Sequence, residues 1–288
     1  KLSALFEAWK PDAVVNFAAE SHNDRAETNP RVFFETNVLG TEILLEAVRD
    51  ASAQIRFHHI STCEVFGDLT LGAGEAFTED SRYNPKTPYN ASKAGSDHAA
   101  MAFFHTFKVQ VTISNCANNY GAYQYPEKVL PLFITNALEG KPMTLFKSSG
   151  NKREWSHVLD HCAAVDLIVR RGIPGQSYNV GTGVEKTIEE MADVVIARLC
   201  ELGKITQDHA QSIKTYVPDR RQHDRRYLLN STKIENELGW KPKYSFEKGI
   251  KETIDWYVNN AEWWKPIKNG EKFKKYYESK YKSGGNGS

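Results

Sequence analysis

The 288-residue chain lacks a charge excess: 37 Lys and Arg stand against 36 Asp and Glu. A nucleic-acid footprint needs a basic surplus or a basic stripe, and neither is present. No apolar run reaches membrane-spanning length, so no membrane partner is expected. No signal-peptide pattern opens the sequence. There are few cysteines: Cys63, Cys116, Cys162 and Cys200. None forms C-x-x-C and no His lies at zinc-finger spacing, so no metal site is expected and the chain reads as reduced and cytoplasmic. Repeats are absent, and low complexity is confined to the Gly/Ser-rich tail 283–288. A strand, Gly-rich turn and helix that would cradle a pyrophosphate is also missing.

What is present alternates. KLSALFEAWK reads as an amphipathic helix, and a Pro-Asp turn leads into a short strand, Ala13 to Phe17. RVFFETNVLGTEILLEAVRD carries apolar residues at helical spacing. IRFHHIS reads as a strand, PYNASKAGSDHAAMAFFHTF as a small-residue helix, and VQVTISNCANNYG as a strand ending in a polar loop. This alternation predicts a parallel sheet with helices on both faces. The second half is less regular, although TIEEMADVVIARLCEL is a clear amphipathic helix. Thr187 with Glu190 predicts a capping box at its start.

In such sheets ligands bind beyond the carboxyl ends of the strands. The candidate ends carry AAES (18–21), STCE (61–64) and NCANN (115–119). Polar loops alone would account for them. The helix that follows STCE, however, opens with Tyr89 and carries Lys93 at i+4, on the same face. An ammonium one turn away is expected to lower the phenol's usual pKa of about 10. Such a pair can take a proton from a sugar hydroxyl while a hydride leaves for a nicotinamide. The bare Y-x-x-x-K motif is more often a surface pair; the preceding S-T-x-E raises its weight. The mixed-charge run DRRQHDRR (219–226) is either a solvated turn or a pocket for an anion, since Arg forks match phosphate oxygens.

These motifs, with NFAAESHNDR, FFETNVLGT, TISNCANNYGAYQYPEKVLP, YNVGTG and ELGWKP, resemble the extended short-chain dehydrogenase/reductases, specifically the dTDP-glucose 4,6-dehydratase group. The resemblance implies a Rossmann-type doubly wound α/β fold with a smaller C-terminal substrate domain. The cofactor domain would span 1–115 with returns near 154–183 and 227–240, and the substrate domain 116–153 and 184–282. It implies NAD as cofactor, a nucleotide sugar as substrate and a homodimer. The implied reaction oxidises C4, removes the C5 proton, expels the C6 hydroxyl as water and returns the hydride to C6. Carried over by position, Tyr89 is the base, Lys93 holds it and the nicotinamide ribose, Glu64 takes the C5 proton and Thr62 binds the C4 oxygen. Phe17, Ala18, Ala19, Ser21, Thr36 and Asn119 resemble cofactor contacts. Ser21, Asn118, Lys128, Arg153, Asn179, Arg220 and His223 resemble substrate contacts.

The family carries Asp where this chain has Cys63. A thiol with a pKa of about 8.5 is mostly protonated at neutral pH and can donate. Cys63 is therefore either a working acid, the mark of a shifted reaction that returns hydride to C4 and leaves a 5,6-alkene (similar to exocyclic-glycal enzymes), or a crippled elimination step in a sugar-nucleotide-binding homologue. A small buried apolar residue is the plain alternative. Phe66 replaces the family Tyr, Ala122 stands in N-Y-G-P, and DRRQH replaces D-R-P-G-H. The missing Gly-rich turn predicts further chain upstream, on the order of 60 to 80 residues at about 30 per unit.

Overall fold

The computed structural model describes residues 1–72, 74–219, 222 and 224–281. The elements run α1 (Leu2–Trp9), β1 (Ala13–Asn16), α2 (Asn23–Thr28), α3 (Pro30–Phe34), a π-helical stretch (Glu35–Leu39), α4 (Gly40–Ala51) and β2 (Arg56–Thr62). A 3-10 turn (Cys63–Phe66) precedes α5 (Pro88–Phe107), β3 (Gln110–Cys116), β4 (Asn118–Tyr120), α6 (Val129–Leu138), β5 (Met143–Phe146), β6 (Lys152–His157) and α7 (Val158–Arg171). Then come β7 (Ser177–Val180), β8 (Glu185–Thr187), α8 (Ile188–Glu201), α9 (Gln207–Ser212), β9 (Lys214–Val217), α10 (Thr232–Leu238), α11 (Phe246–Asn259), α12 (Ala261–Asn269) and α13 (Glu271–Tyr281). The chain divides into two compact units, residues 1–118, 154–184 and 224–243 in one, and 119–153, 185–223 and 244–288 in the other.

In the first unit the sheet order is β1-β2-β3-β7, and every pairing is parallel. Parallel strands need covered faces. On one face Phe6, Leu45, Val48, Phe57, Ala100, Phe103 and Val111 form a core between the sheet and α1, α4 and α5. On the other, Ala164, Ile168, Tyr178, Ile234 and Trp240 pack α7 and α10 against it. This is the doubly wound arrangement that the alternation predicts. Burial on both faces also encloses polar side chains of β2, His58 among them. His58 is buried between Thr112 (2.9 Å) and Ser114 (3.0 Å), and burial pulls its pKa down to about 3, which keeps the ring neutral.

The predicted long helix is interrupted by the π-helical stretch. Its buried residues are Phe33, Asn37, Thr41, Leu45 and Val48. Four residues overshoot one α-turn by about 40°, so repeated four-residue steps would rotate off the core. The wider π turn brings them back. Gly95 of α5 meets this stretch closely: a Cβ there would lie 3.1 Å from Val38 Cγ2.

In the second unit α6 is almost wholly buried, and β5 pairs in parallel with β9. The predicted capping box forms: Thr187 N donates to Glu190 Oε2 (2.7 Å) and Glu190 N to Thr187 Oγ1 (3.0 Å). Buried Lys268 pins the end of α6, donating to Thr135 Oγ1 and Asn136 Oδ1 and pairing with Glu139 at 2.9 Å. That places positive charge where the helix dipole is negative.

Candidate active site

Parallel register sets the polar strand ends side by side. Thr62 lies opposite Cys116, Asn115 opposite both Ser61 and Asn179, and Asn16 opposite His59. Beyond β2 the chain tightens at once into its 3-10 turn, capped by Thr62 Oγ1, which accepts from Glu64 N at 3.3 Å. The turn sends alternate side chains in different directions. Cys63 is 1% exposed and packs in an apolar cluster with Val65, Phe66, Ala94 and Ala117. Glu64 stays partly exposed, and Asn23 Nδ2 donates to its Oε2 at 3.0 Å.

Helix α5 starts at a cap, Thr87, whose hydroxyl accepts from Asn90 N, with Pro88 at the first position. The start is therefore sharply placed, and Tyr89 falls in the first turn. Its phenol hydrogen-bonds with Thr62, and its ring meets the edge of Phe33 at 6.3 Å between centroids. Burial pushes the phenol well above its usual pKa, and the charge of Glu64 adds to the push; the Thr62 hydrogen bond opposes it. The expectation that Lys93 pulls the phenol down is thus not the dominant effect. Lys93 is 3% exposed and donates to the Ile60 carbonyl at 2.7 Å, with His59 Nε2 at 3.3 Å. Burial lowers its pKa, while Asp97 one turn on works against that.

Asp97 is itself buried. Its Oδ2 accepts from Ser61 (2.6 Å) and Tyr83 (3.0 Å), and its Oδ1 lies 3.4 Å from His59 Nε2. Asn16 Nδ2 faces His59 Nδ1 at 3.3 Å, which assigns the ring proton to Nε2 and makes Nδ1 the acceptor. Burial holds the His59 pKa down. Lys93 and Asp97 thus lie one helical turn apart behind Tyr89, both buried and both reaching His59 Nε2. Asn16, His59 and Asp97 were not singled out in the sequence; the one signal for Asp97 was its helical spacing from Tyr89 and Lys93.

The segment after β1 is the candidate seat of the cofactor's nicotinamide half. Phe17, Ala18, Ala19 and Ser21 are exposed, and Thr36 is half-buried in the π-helical stretch. The backbone is fixed from below. Asn16 Oδ1 accepts from Ala18 N (3.2 Å), and Asn37 both accepts from Glu20 N (2.8 Å) and donates to Glu20 O (3.0 Å). Asn37 also donates to Ser92 Oγ (2.8 Å), next to Lys93. Ala18, Ala19 and Ser21, open and tied to the Tyr89–Lys93 helix, leave room for the flat nicotinamide half of a dinucleotide.

Among the candidate substrate residues, Asn118 is half-buried at the start of β4 in the first unit. Asn179 is fully buried, donating Nδ2 to Phe77 O (2.9 Å) and its backbone N–H to Glu79 (2.8 Å), so these groups brace the loop around residues 77–79. In the second unit Asn119 is half-buried, Lys128 sits at the N-terminus of α6, and Arg153 is 7% exposed. Arg220 and His223 lie outside the described residues. Among the described residues no cluster of three or more His, Cys, Asp or Glu is placed to hold a metal ion, and no helix is long and apolar enough to cross a membrane.

A match to the GDP-mannose 4,6 dehydratase family runs over residues 1–253. The chain belongs to that family. Within the family it is 42% identical to the dTDP-glucose 4,6-dehydratase of Salmonella typhimurium, over 98% of this chain and 81% of that one. The solved dTDP-glucose 4,6-dehydratase of Streptomyces venezuelae, with NAD bound, superposes with a TM-score of 0.84 at 43% identity, covering 92% of this chain and 79% of that one. The UDP-glucose 4-epimerase of Thermus thermophilus, also solved with NAD, gives a TM-score of 0.81 at 28% identity, covering 90% of this chain and 81% of that one.

Proposed function

We propose that the chain is an NAD-dependent lyase that converts dTDP-glucose to dTDP-4-keto-6-deoxyglucose. The observation that carries the reading is the juxtaposition of Glu64 with Tyr89 through Thr62 and Asn23. Abstracting a proton from C5 needs a second base beside the one that serves O4, and these atoms are neighbours in the sugar.

In this reading Thr62 hydrogen-bonds the C4 oxygen, and Tyr89, as a phenolate, takes the C4 hydroxyl proton and passes it to solvent; the positive nicotinamide of the bound cofactor would favour that phenolate against the burial that raises the phenol's pKa. NAD, when bound, would supply the redox chemistry, as the hydride acceptor for C4 and the hydride donor for C6. Phe17, Ala18, Ala19, Ser21, Thr36 and Asn119, with Lys93, would hold it. The 4-ketone acidifies C5–H. Glu64 removes that proton, the C5–C6 double bond forms, and the C6–O bond breaks. The Cys63 thiol donates the proton with which the C6 hydroxyl leaves as water. Glu64, whose captured proton exchanges with solvent, then protonates C5, and Cys63 is reprotonated from solvent. Asn118, Lys128, Arg153, Asn179, Arg220 and His223 would bind the nucleotide diphosphate and sugar. Exposed Phe34, Leu39 and Ile43, along the helical run before β2, would contribute to a homodimer face in a cytoplasmic enzyme.

The test is incubation with dTDP-glucose, and separately with UDP-N-acetylglucosamine, in deuterated water, read by NMR and mass. Loss of water from dTDP-glucose, a 4-keto signal and deuterium at C5 are expected. A 5,6-alkene with a C4 hydroxyl would instead establish the shifted elimination. Turnover of neither compound by folded protein would overturn the reading.

A further inference from the structure

We infer that Asn23 is a positioning residue for the elimination step, setting Glu64 against Tyr89. The inference rests on the lyase reading and deepens it. Asn23 is the first residue of α2, directly after the cofactor segment. Its two amide atoms go to two different parts of the site. Nδ2 donates to Glu64 Oε2 at 3.0 Å, and Oδ1 accepts from Thr87 Oγ1 at 2.8 Å.

Glu64, acting as a carboxylate, can only accept, so the Asn23 NH2 must face it. The amide carbonyl is then left to accept the hydroxyl proton of Thr87, whose oxygen also accepts from Asn90 N as the cap of α5. The carboxylate of Glu64 is thereby tied to the first turn of the helix that carries Tyr89. Three chain segments far apart in sequence, at residues 23, 64 and 87, meet in this one side chain.

The chemistry explains why the tie is wanted. Tyr89 acts at O4 and Glu64 at C5, one bond further along the sugar, so their relative placement decides whether both reach their protons in one bound pose. Misplacement by about 1 Å costs on the order of a hundredfold in such a step. A neutral amide also suits the site. A cation in place of Asn23 would pair with Glu64 and blunt it as a base, and a second carboxylate would add to the negative charge already beside Tyr89.

The experiment compares the parent with Asn23→Val, which keeps the bulk of the side chain but not its hydrogen bonds, and with isosteric Asn23→Asp. Two readouts are taken. One is dehydration of dTDP-glucose, with C4 oxidation followed separately by rapid quench. The other is exchange of C5–H when dTDP-4-keto-6-deoxyglucose is supplied in deuterated water, which needs the base and no net redox step. Both variants are expected to lose about a hundredfold in C5 exchange and in dehydration, with KM and C4 oxidation of Asn23→Val within a few-fold of the parent. C5 exchange at the parental rate in either folded variant would overturn the inference. So would equal losses in oxidation and exchange, which indicate a general disturbance of the site. If the parent itself neither dehydrates nor exchanges, the lyase reading fails instead.

Discussion

Cys63 sits in two environments at once. It is buried among Val65, Phe66, Ala94 and Ala117, yet it stands between Thr62, which hydrogen-bonds the Tyr89 phenol, and Glu64. As the acid in elimination, it must give a proton toward the sugar side of the turn; as packing alone, its loss would be felt only in stability. Cys63→Ala separates the two. We expect dehydration to fall by about a hundredfold or more, with C4 oxidation retained and a modest drop in thermal stability; parental dehydration by the variant would assign the thiol to packing. Single residues were legible where a motif named them: Thr62, Glu64, Tyr89 and Lys93 were marked by S-T-x-E and Y-x-x-x-K. Asn23, Asn37 and Asp97 were not, because an Asn or Asp declares its role only through partners that are remote in sequence. Glu64 lies 41 positions from Asn23, and Ser92 lies 55 from Asn37.

At the scale of elements, β2 and α5 share an enclosed polar network. Lys93 and Asp97 are one turn apart on α5, while His59 and Ser61 of β2 complete their hydrogen bonding. Removing one member leaves its buried hydrogen-bond partners unsatisfied, at a cost of about 1–3 kcal/mol. Lys93→Met is therefore expected to destabilise the fold strongly, and Lys93→Met with Asp97→Asn to recover most of the loss. Urea unfolding of the two single variants and the double variant measures the coupling, expected at about 1–3 kcal/mol; additive effects would show that the two side chains do not depend on each other. The helical period gave away α4 and α8 in the sequence, small residues gave away α5, and the capping box at Thr187 formed as read. The π-helical stretch was hidden because an inserted turn leaves the apolar residues at ordinary-looking four-residue steps.

At the scale of the whole molecule, alternation of strand and helix was enough to predict the parallel sheet and its two covered faces. The registers that bring Thr62, Asn115 and Asn16 to one edge follow from pairing, which composition and periodicity do not specify. The central claim is that one bound cofactor carries hydride from C4 to C6 of the same sugar while Glu64 and Cys63 remove water between the two events. The most direct measurement is turnover of dTDP-glucose deuterated at C4, with the product examined by NMR and mass. The account predicts deuterium in the C6 methyl group of a 4-keto product. Deuterium retained at C4, in an epimerised sugar or beside a 5,6-alkene, would contradict it.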